Sequence, residues 1–174
     1  MTNDSNSALL FSFITDETIR KKLQQSGPRI ERSFNELFKG YSLKAEDVLN
    51  EVVEVKDFNG IVEVKGIQFY SMCEHHFAPF YGTVDIYYQP DKVITGLGKL
   101  VRLAKDVHGR RLQIQEIMAR DICQDIMRVL KPKGCFVRTT GKHFCICSRG
   151  PKDDVSITIS TYAEGTLSNF IYEK

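Results

Sequence analysis

Two short segments of this 174-residue chain concentrate its chemically reactive side chains. Residues 73–76 read CEHH, and residues 143–147 read HFCIC. Thiolate and imidazole are preferred zinc ligands, and a Cys-x-x-His spacing lets one turn present both to a single ion. If the second segment is a strand, His143, Cys145 and Cys147 share a face, so one of the two cysteines can supply a third ligand. Three protein ligands leave a fourth position open, which is typical of catalytic rather than structural zinc sites.

The histidines outnumber the ligands that such a site needs. With Cys73, His76 and one downstream cysteine on the metal, His75 and His143 remain free beside it. Imidazole changes its protonation state near neutral pH, so both are candidates for a general acid or base. The other cysteines and the fourth histidine are interpreted as ordinary core residues: Cys123, Cys135 and His108.

Composition excludes several classes of protein. The chain has 24 Lys+Arg and 22 Asp+Glu, a net charge of +2. This small excess of positive charge argues against electrostatic binding of nucleic acid over an extended surface. Its apolar runs are shorter than the ~20 residues of a membrane span. The start, MTNDSNS, lacks the basic region of a signal peptide, and five cysteines without a secreted-scaffold spacing favour free thiols or metal ligands. We therefore expect a cytoplasmic protein that binds neither membrane nor nucleic acid.

The N-terminal part predicts helices. Acidic residues followed by basic ones, and then Gly27, predict a short helix over residues 15–27. Pro28 and a 3.6-residue apolar period predict a second helix that ends at Gly40. We expect a flexible arm over residues 1–14, a helical segment over 15–52 and a catalytic domain over 53–174, together one globular domain.

The remainder of the chain alternates strand and helix signals. Helices are predicted over residues 98–107 and 113–130, and strands over residues 61–71, 80–88, 135–140, 143–148 and 155–161. Hairpins on both sides of a helical pair predict an α+β fold with an antiparallel sheet.

Four motifs in this order resemble GTP cyclohydrolase I. They are SMCEHHFAPFYG (71–82), GLGKLVRL (96–103), GRRLQIQE (109–116) and KHFCICSRG (142–150). The resemblance covers about residues 27–160. It implies a tunnelling fold (T-fold), an antiparallel sheet with helices on one face that assembles into a multi-subunit barrel. It also implies a homodecamer with its sites at subunit interfaces.

The resemblance assigns roles to individual residues. The positions of the family's zinc ligands are Cys73, His76 and Cys145, and those of its catalytic histidines are His75 and His143. Gln115 and Glu116 lie where the family reads the guanine edge. The positions that hold the triphosphate are Lys99, Arg102 and Arg149, assisted by Arg29 and Arg32 of the early helix. Guanidinium groups bind phosphate bidentately and lysine supplies a point charge, which agrees with these roles.

The implied reaction is the zinc-dependent opening of the imidazole ring of GTP at C8. Formate is released and 7,8-dihydroneopterin triphosphate is formed, which is the first step of folate and pterin biosynthesis. The implied partners are GTP or a related guanine nucleotide and further copies of the same chain.

The sequence departs from the family pattern at Gly98, where the family has a serine that contacts substrate, at Cys147, which is not normally cysteine, and in the ending TYAEGTLSNFIYEK. Three alternatives remain open, and Gly98 is the motive for the first of them. One is a specialised paralogue that takes a modified or less phosphorylated guanine nucleotide. Another is a deazaguanine nitrile reductase of the same fold, whose chemistry uses a cysteine nucleophile and NADPH. The third is a non-catalytic oligomeric scaffold stabilised by zinc.

Overall fold

The computed structural model of the protein describes residues 12–170, and the chain divides into two compact units, Met1–Glu36 and Leu37–Lys174. Most of the expected N-terminal arm, residues 1–11, lies outside the described residues. Among the residues that are described, no helix is long and apolar enough to cross a membrane.

The boundary between the two units lies between residues 36 and 37. The segment after the boundary belongs with the sheet because backbone contacts hold it there. Gly40 donates its N–H to the carbonyl of Arg110 at 3.1 Å, and its own carbonyl accepts from the Arg111 guanidinium at 3.2 Å. A Cβ at Gly40 would lie 2.2 Å from the carbonyl oxygen of Val107, so this approach requires glycine.

Helix α1 (Glu17–Leu37) runs without a break through Pro28, so the prediction of two separate helices is wrong. Asp16 caps it by accepting from the backbone N–H groups of Thr18 and Ile19. Proline removes only one helical hydrogen bond, and its fixed φ fits a helix. The partly buried positions of α1 keep one helical phase across the proline: Leu23, Ser26, Gly27, Ile30, Phe34 and Leu37.

The main sheet has five strands in the order β5-β2-β3-β6-β7. Their bounds are Val62–Cys73 (β2), Ala78–Gln89 (β3), Leu112–Gln113 (β5), Gly134–His143 (β6) and Thr158–Gly165 (β7). All neighbours are antiparallel except β2 and β5, which are parallel. Strands β1 (Val52–Glu54) and β4 (Val93–Thr95) form a separate antiparallel pair.

Helices cover one face of this sheet. Within the unit Leu37–Lys174 the helical elements are a 3₁₀ turn (Lys39–Ser42), α2 (Ala45–Val48), α3 (Leu97–Arg102), a π-helical turn (Leu103–His108), α4 (Gln115–Leu130) and α5 (Phe144–Cys147). The helix that we predicted over residues 98–107 widens after α3, because Gly109 donates its N–H to Ala104, five residues earlier. The α+β class with an antiparallel sheet is confirmed.

The core lies between α4 and the covered face of the sheet. Helix α4 contributes a buried stripe at helical spacing: Met118, Ala119, Ile122, Cys123, Ile126 and Leu130. The strands contribute every second residue, including Phe69, Phe80, Val84, Ile86, Tyr88 and Val137, which are all fully buried. Cys123, Cys135 and His108 are buried as expected of core residues.

Two of the predicted strands end differently in the structure. The segment 143–148 is not a strand, since β6 stops at His143 and the chain turns into α5. The residue of β3 that comes next to the Phe80–His143 pair is Pro79, which has no N–H to extend the ladder. The strand predicted over residues 155–161 begins only at Thr158, because Asp153 accepts from two backbone N–H groups and holds the preceding residues in a turn.

A charged network joins α4 to the elements beside it. The buried His108 contacts the Asp125 carboxylate at 2.9 Å, and Arg128 pairs with both Asp125 and Glu46. Burial alone would raise the pKa of Asp125, but the hydrogen bonds from His108 and Arg128 outweigh it and lower that pKa. The ionised carboxylate is therefore the form that stabilises the fold.

We expect Asp125→Asn to lower the free energy of unfolding at pH 7 by about 1 kcal/mol, because it removes the charge and keeps the shape. Since the folded-state pKa is depressed, this contribution is complete above the ordinary carboxyl pKa. The contribution of Asp125 to stability disappears as the pH falls through the pKa of Asp125 in the folded state. Urea denaturation of both proteins across this range measures the difference, and a difference that stays constant with pH would contradict the role of the charge.

Candidate active site

The CEHH segment occupies the end of β2 and the tight turn that follows. Cys73 is the last residue of the strand and is 4% exposed, whereas His75 and His76 lie exposed in the turn. Phe77 closes the turn by donating its N–H to the Cys73 carbonyl at 2.9 Å, with a φ of 52°. That left-handed conformation is uncommon for a residue with a side chain, and the ring of Phe77 packs against Phe38 with centroids 5.9 Å apart.

Cys145 reaches the same place from the short helix α5. Its Sγ lies 4.0 Å from the Sγ of Cys73, and both side chains are buried. Together with His76 they form a group whose potential ligand atoms all lie within 4.8 Å of one another. Cys147 is not part of this group, because a helical turn, unlike a strand, does not present residues two apart on one face.

The donor set fits a zinc ion. A tetrahedral site with Zn–S bonds of ~2.3 Å places two sulfur ligands ~3.8 Å apart, close to the observed separation of the two thiols. Burial raises the pKa of the Cys145 thiol and the neighbouring Cys73 thiol raises it further, whereas the charge of Arg149 lowers it. Two thiolates this close repel each other, and a divalent cation offsets that repulsion.

His143, the last residue of β6, lies beside these groups and is held on two sides. Its ring stacks on the buried ring of Phe80, with centroids 4.5 Å apart and planes 5° apart. Its Nε2 lies 2.7 Å from Oε1 of Gln115. Burial lowers the pKa of His143, Glu116 raises it and His75 lowers it, with burial the largest of the three. The neutral imidazole is thus favoured.

Gln115 and Glu116 begin helix α4 and have different surroundings. Gln115 is 1% exposed, and its amide nitrogen lies within hydrogen-bonding distance of the Thr139 carbonyl, the Thr139 hydroxyl and the Thr158 carbonyl. Glu116 is exposed in the first turn of the helix, where a carboxylate is favoured by the helix dipole. Only Glu116 of this pair has a polar group available to a ligand.

These residues line one pocket of about 270 Å³. It contains the three potential metal ligands, both candidate catalytic histidines and the start of α4. Sequence reasoning missed its remaining lining residues, Ile114, Ile146 and Thr158, and the residues behind it, Phe80 and Thr139. The strand alternation places Phe80 on the core face, but its stacking on His143 depends on the register between β3 and β6.

The basic residues predicted to hold phosphate do not all lie at this pocket. Lys99 and Arg102 line a second pocket of about 380 Å³ with Glu51, Gly96 and Gly98, and the two pockets have no lining residue in common. Lys99 pairs with the Glu51 carboxylate at 3.1 Å. Arg149 follows α5 and acts electrostatically on Cys145. Arg29 and Arg32 are exposed on α1, in the first unit.

Fold and pocket together define an α+β protein with a candidate metal centre of two cysteines and one histidine. Residues 4–170 match the sequence model of the GTP cyclohydrolase I family. GTP cyclohydrolase 1 of Wolinella succinogenes is 39% identical over 156 residues, which is 90% of this chain and 83% of that protein. GTP cyclohydrolase 1 of Rickettsia prowazekii is 38% identical over 91% of this chain and 84% of its own. That of Clostridium kluyveri is 39% identical over 94% of this chain and 87% of its own.

The chain therefore belongs to the GTP cyclohydrolase I family. The resemblance that the four motifs indicated is confirmed, and the α+β fold with an antiparallel sheet agrees with it. The match begins before residue 27 and continues beyond residue 160, so the relationship covers more of the chain than the motifs alone.

We expect Cys145→Ser to lose stoichiometric zinc, because it removes one of the three grouped ligands. Cys147→Ser is the matched control, two residues away in the same short helix, and should retain zinc. Metal analysis of both purified proteins after dialysis against dilute zinc measures the difference. If Cys147→Ser lost the metal and Cys145→Ser kept it, the ligand assignment would be wrong.

Proposed function

We propose that this protein is a zinc-dependent hydrolase that opens the imidazole ring of GTP at C8, releases formate and forms 7,8-dihydroneopterin triphosphate. The observation that carries the proposal is the shared pocket: a three-residue ligand set, two histidines outside that set and one free carboxylate. A purely structural zinc site normally closes with four protein ligands and has no use for the additional groups.

Cys73, His76 and Cys145 would hold the zinc ion. Zinc bound there supplies Lewis acidity, which lowers the pKa of water and polarises the purine ring. The two thiols are buried, whereas His76 is exposed to solvent.

His143 and His75 would move protons during ring opening. Hydrolysis at C8 requires a proton on the departing purine nitrogen and removal of one from the attacking water. His143 is suited to accept a proton because burial keeps its imidazole neutral near pH 7. His75, exposed in the turn after β2, would exchange protons with solvent between steps.

Glu116 would select guanine. An ionised carboxylate has only acceptors, and the guanine edge offers two adjacent donors, the ring N1–H and the exocyclic amine. The first turn of α4 has no side-chain cap and supplies backbone N–H groups that suit the guanine carbonyl oxygen. Adenine presents no such pattern.

The triphosphate would bind across a subunit boundary. Arg149 is close to the metal ligands, whereas Lys99 and Arg102 line a different pocket of the same chain. A neighbouring copy of the chain would bring its Lys99 and Arg102 to the pocket, with Arg29 and Arg32 assisting. This arrangement agrees with a homodecamer, and we place the enzyme in the cytoplasm at the start of folate and pterin biosynthesis.

The test is turnover by the zinc-loaded protein, followed by formate release and formation of a dihydropterin triphosphate. We expect GTP to be converted with one formate per nucleotide, ITP poorly because it lacks the exocyclic amine, and ATP not at all. Glu116→Gln should weaken GTP binding at least ~10²-fold, because an amide places a donor where an acceptor is needed.

Asp121→Asn is the control for this test, since it removes a carboxylate from the exposed side of the same helix. It should behave as the wild type. If the zinc-loaded protein converted no guanine nucleotide, the proposal would fail and the scaffold hypothesis would replace it. Conversion of ATP at the same rate as GTP would contradict the role of Glu116 in selecting guanine.

Gly98 favours a second candidate, a paralogue that takes a less phosphorylated guanine nucleotide. A Cβ at Gly98 would meet no atom within 4 Å, so glycine is not required by packing and the family's serine hydroxyl is simply absent. Gly98 lies beside Lys99 and Arg102, and the missing hydroxyl therefore removes a polar contact from the phosphate-binding pocket.

For an enzyme that acts on GTP, we expect Gly98→Ser to raise kcat/KM for GTP about 5-fold, the effect of one hydrogen bond, and to leave GMP unaffected. Gly98→Ala adds the Cβ without the hydroxyl and serves as the matched control. Steady-state kinetics on both nucleotides make the comparison. Equal wild-type turnover of GMP and GTP would instead support the specialised paralogue.

A further inference from the structure

The buried amide of Gln115 has one possible orientation. Its nitrogen faces the carbonyl oxygens of Thr139 (3.3 Å) and Thr158 (2.9 Å), which can only accept hydrogen bonds. The Thr139 hydroxyl, at 3.2 Å, donates its own proton to the Ser160 carbonyl and therefore also accepts from Gln115. Rotating the amide by 180° would place its oxygen against three acceptors, so the nitrogen must lie on this side.

The orientation of Gln115 determines where the proton lies on His143. With its nitrogen toward the threonines, Gln115 directs Oε1 toward Nε2 of His143 at 2.7 Å. An amide oxygen only accepts, so Nε2 of His143 must carry a hydrogen and donate it. The other ring nitrogen, Nδ1, is then the one with a free lone pair in the neutral imidazole.

We propose that Gln115 is a positioning residue that fixes both the orientation and the tautomer of His143, and that it does not read the guanine base. The role of Gln115 in the reaction rests on the proposed function, in which His143 accepts a proton. By holding the hydrogen of His143 at Nε2, Gln115 leaves the lone pair of Nδ1 free for that proton. Both ends of the Gln115 amide have protein partners, and the residue is only 1% exposed, so it offers no free donor to a nucleotide. Base selection by side chains of this pair therefore falls to Glu116.

Two neighbours fix the arrangement. Phe80 lies parallel to the His143 ring and prevents it from tilting. Gly141, two residues before His143 on β6, leaves room for Gln115: a Cβ at Gly141 would lie 2.5 Å from Oε1 and 3.0 Å from Cδ of the amide. A strand residue with a side chain at this position would push Oε1 away from His143.

The first experiment is solid-state NMR of the zinc-loaded wild-type protein labelled with [15N]histidine. The sequence has only 4 histidines, so single substitutions assign every signal. We expect the neutral ring of His143 to be protonated at Nε2. Protonation at Nδ1 would overturn the inference, and this measurement on the wild-type protein does not depend on turnover.

The second experiment compares Gln115→Met, Gly141→Ala and Glu116→Gln by kinetics and by the same NMR signal. We expect the first two to lose the fixed His143 tautomer and to lower kcat about 10²-fold, with KM for GTP and the preference for GTP over ITP unchanged. Glu116→Gln should change that preference and leave the neutral His143 ring protonated at Nε2, because it keeps the Gln115 contact. Circular dichroism and zinc content show that each variant is folded and loaded.

The outcomes separate this inference from the proposed function. A raised KM and a lost preference for GTP in Gln115→Met, with an unchanged His143 signal, would make Gln115 a base reader and overturn the inference while the enzyme's function stands. A different result would defeat the proposed function and leave the inference standing. In that case the wild type shows no turnover, but its His143 is protonated at Nε2 and loses this fixed tautomer in Gln115→Met.

Discussion

The register of strands β2, β3 and β6 determines where every residue of the pocket lies. Cys73 pairs with Ala78 across the turn, and Phe80 pairs with His143 on the other side of β3. Cys73 also pairs with Gln113 of β5, two residues before helix α4 begins. A shift of one residue would reverse the faces of a whole strand and bury the wrong side chains, so the hydrophobic core that fixes the register also fixes the chemistry.

The pocket combines groups that would be unfavourable without one another. Burial and the Cys73 thiol 4.0 Å away raise the pKa of the Cys145 thiol, and burial lowers the pKa of the His143 imidazole. A cation held by Cys73, Cys145 and His76 would balance two thiolates, and the carboxylate of Glu116 raises the pKa of His143. The charge on a metal at this site would therefore be coupled to the protonation of His143.

The sequence predicted the pocket's reactive residues more accurately than it predicted how they are brought together. Cys145 was placed near Cys73 by assuming a strand, but a helical turn after His143 positions it, because Pro79 prevents β3 from extending the ladder. Local spacing cannot show this, since it depends on the residue opposite in a distant strand. In the same way, strong turn signals at Gly27 and Pro28 predicted a break that a continuous apolar phase overrides.

Gln115 shows most clearly which features of the pocket the sequence could not predict. From the sequence, a Gln-Glu pair at the start of a helix offers two polar groups of similar reach, and either can face a ligand. The difference between them arises from the partners of Gln115 on β6 and β7, which are 24 and 43 residues away along the chain. Burial then decides the outcome, because an unsatisfied amide in the core costs about 1–3 kcal/mol, whereas Glu116 can remain solvated until a ligand arrives.

The contact between Lys99 and Glu51 bears on how the second pocket could accept phosphate. Lys99 is mostly buried and Glu51 is mostly exposed, so the lysine is held in place while its partner is free to move. An exposed ion pair contributes about 0–1 kcal/mol, and a phosphate with several negative oxygens can displace the glutamate at little cost. Glu51 thus keeps the lysine oriented in the free protein without competing strongly with a phosphate, and Arg102 offers a second donor in the same pocket.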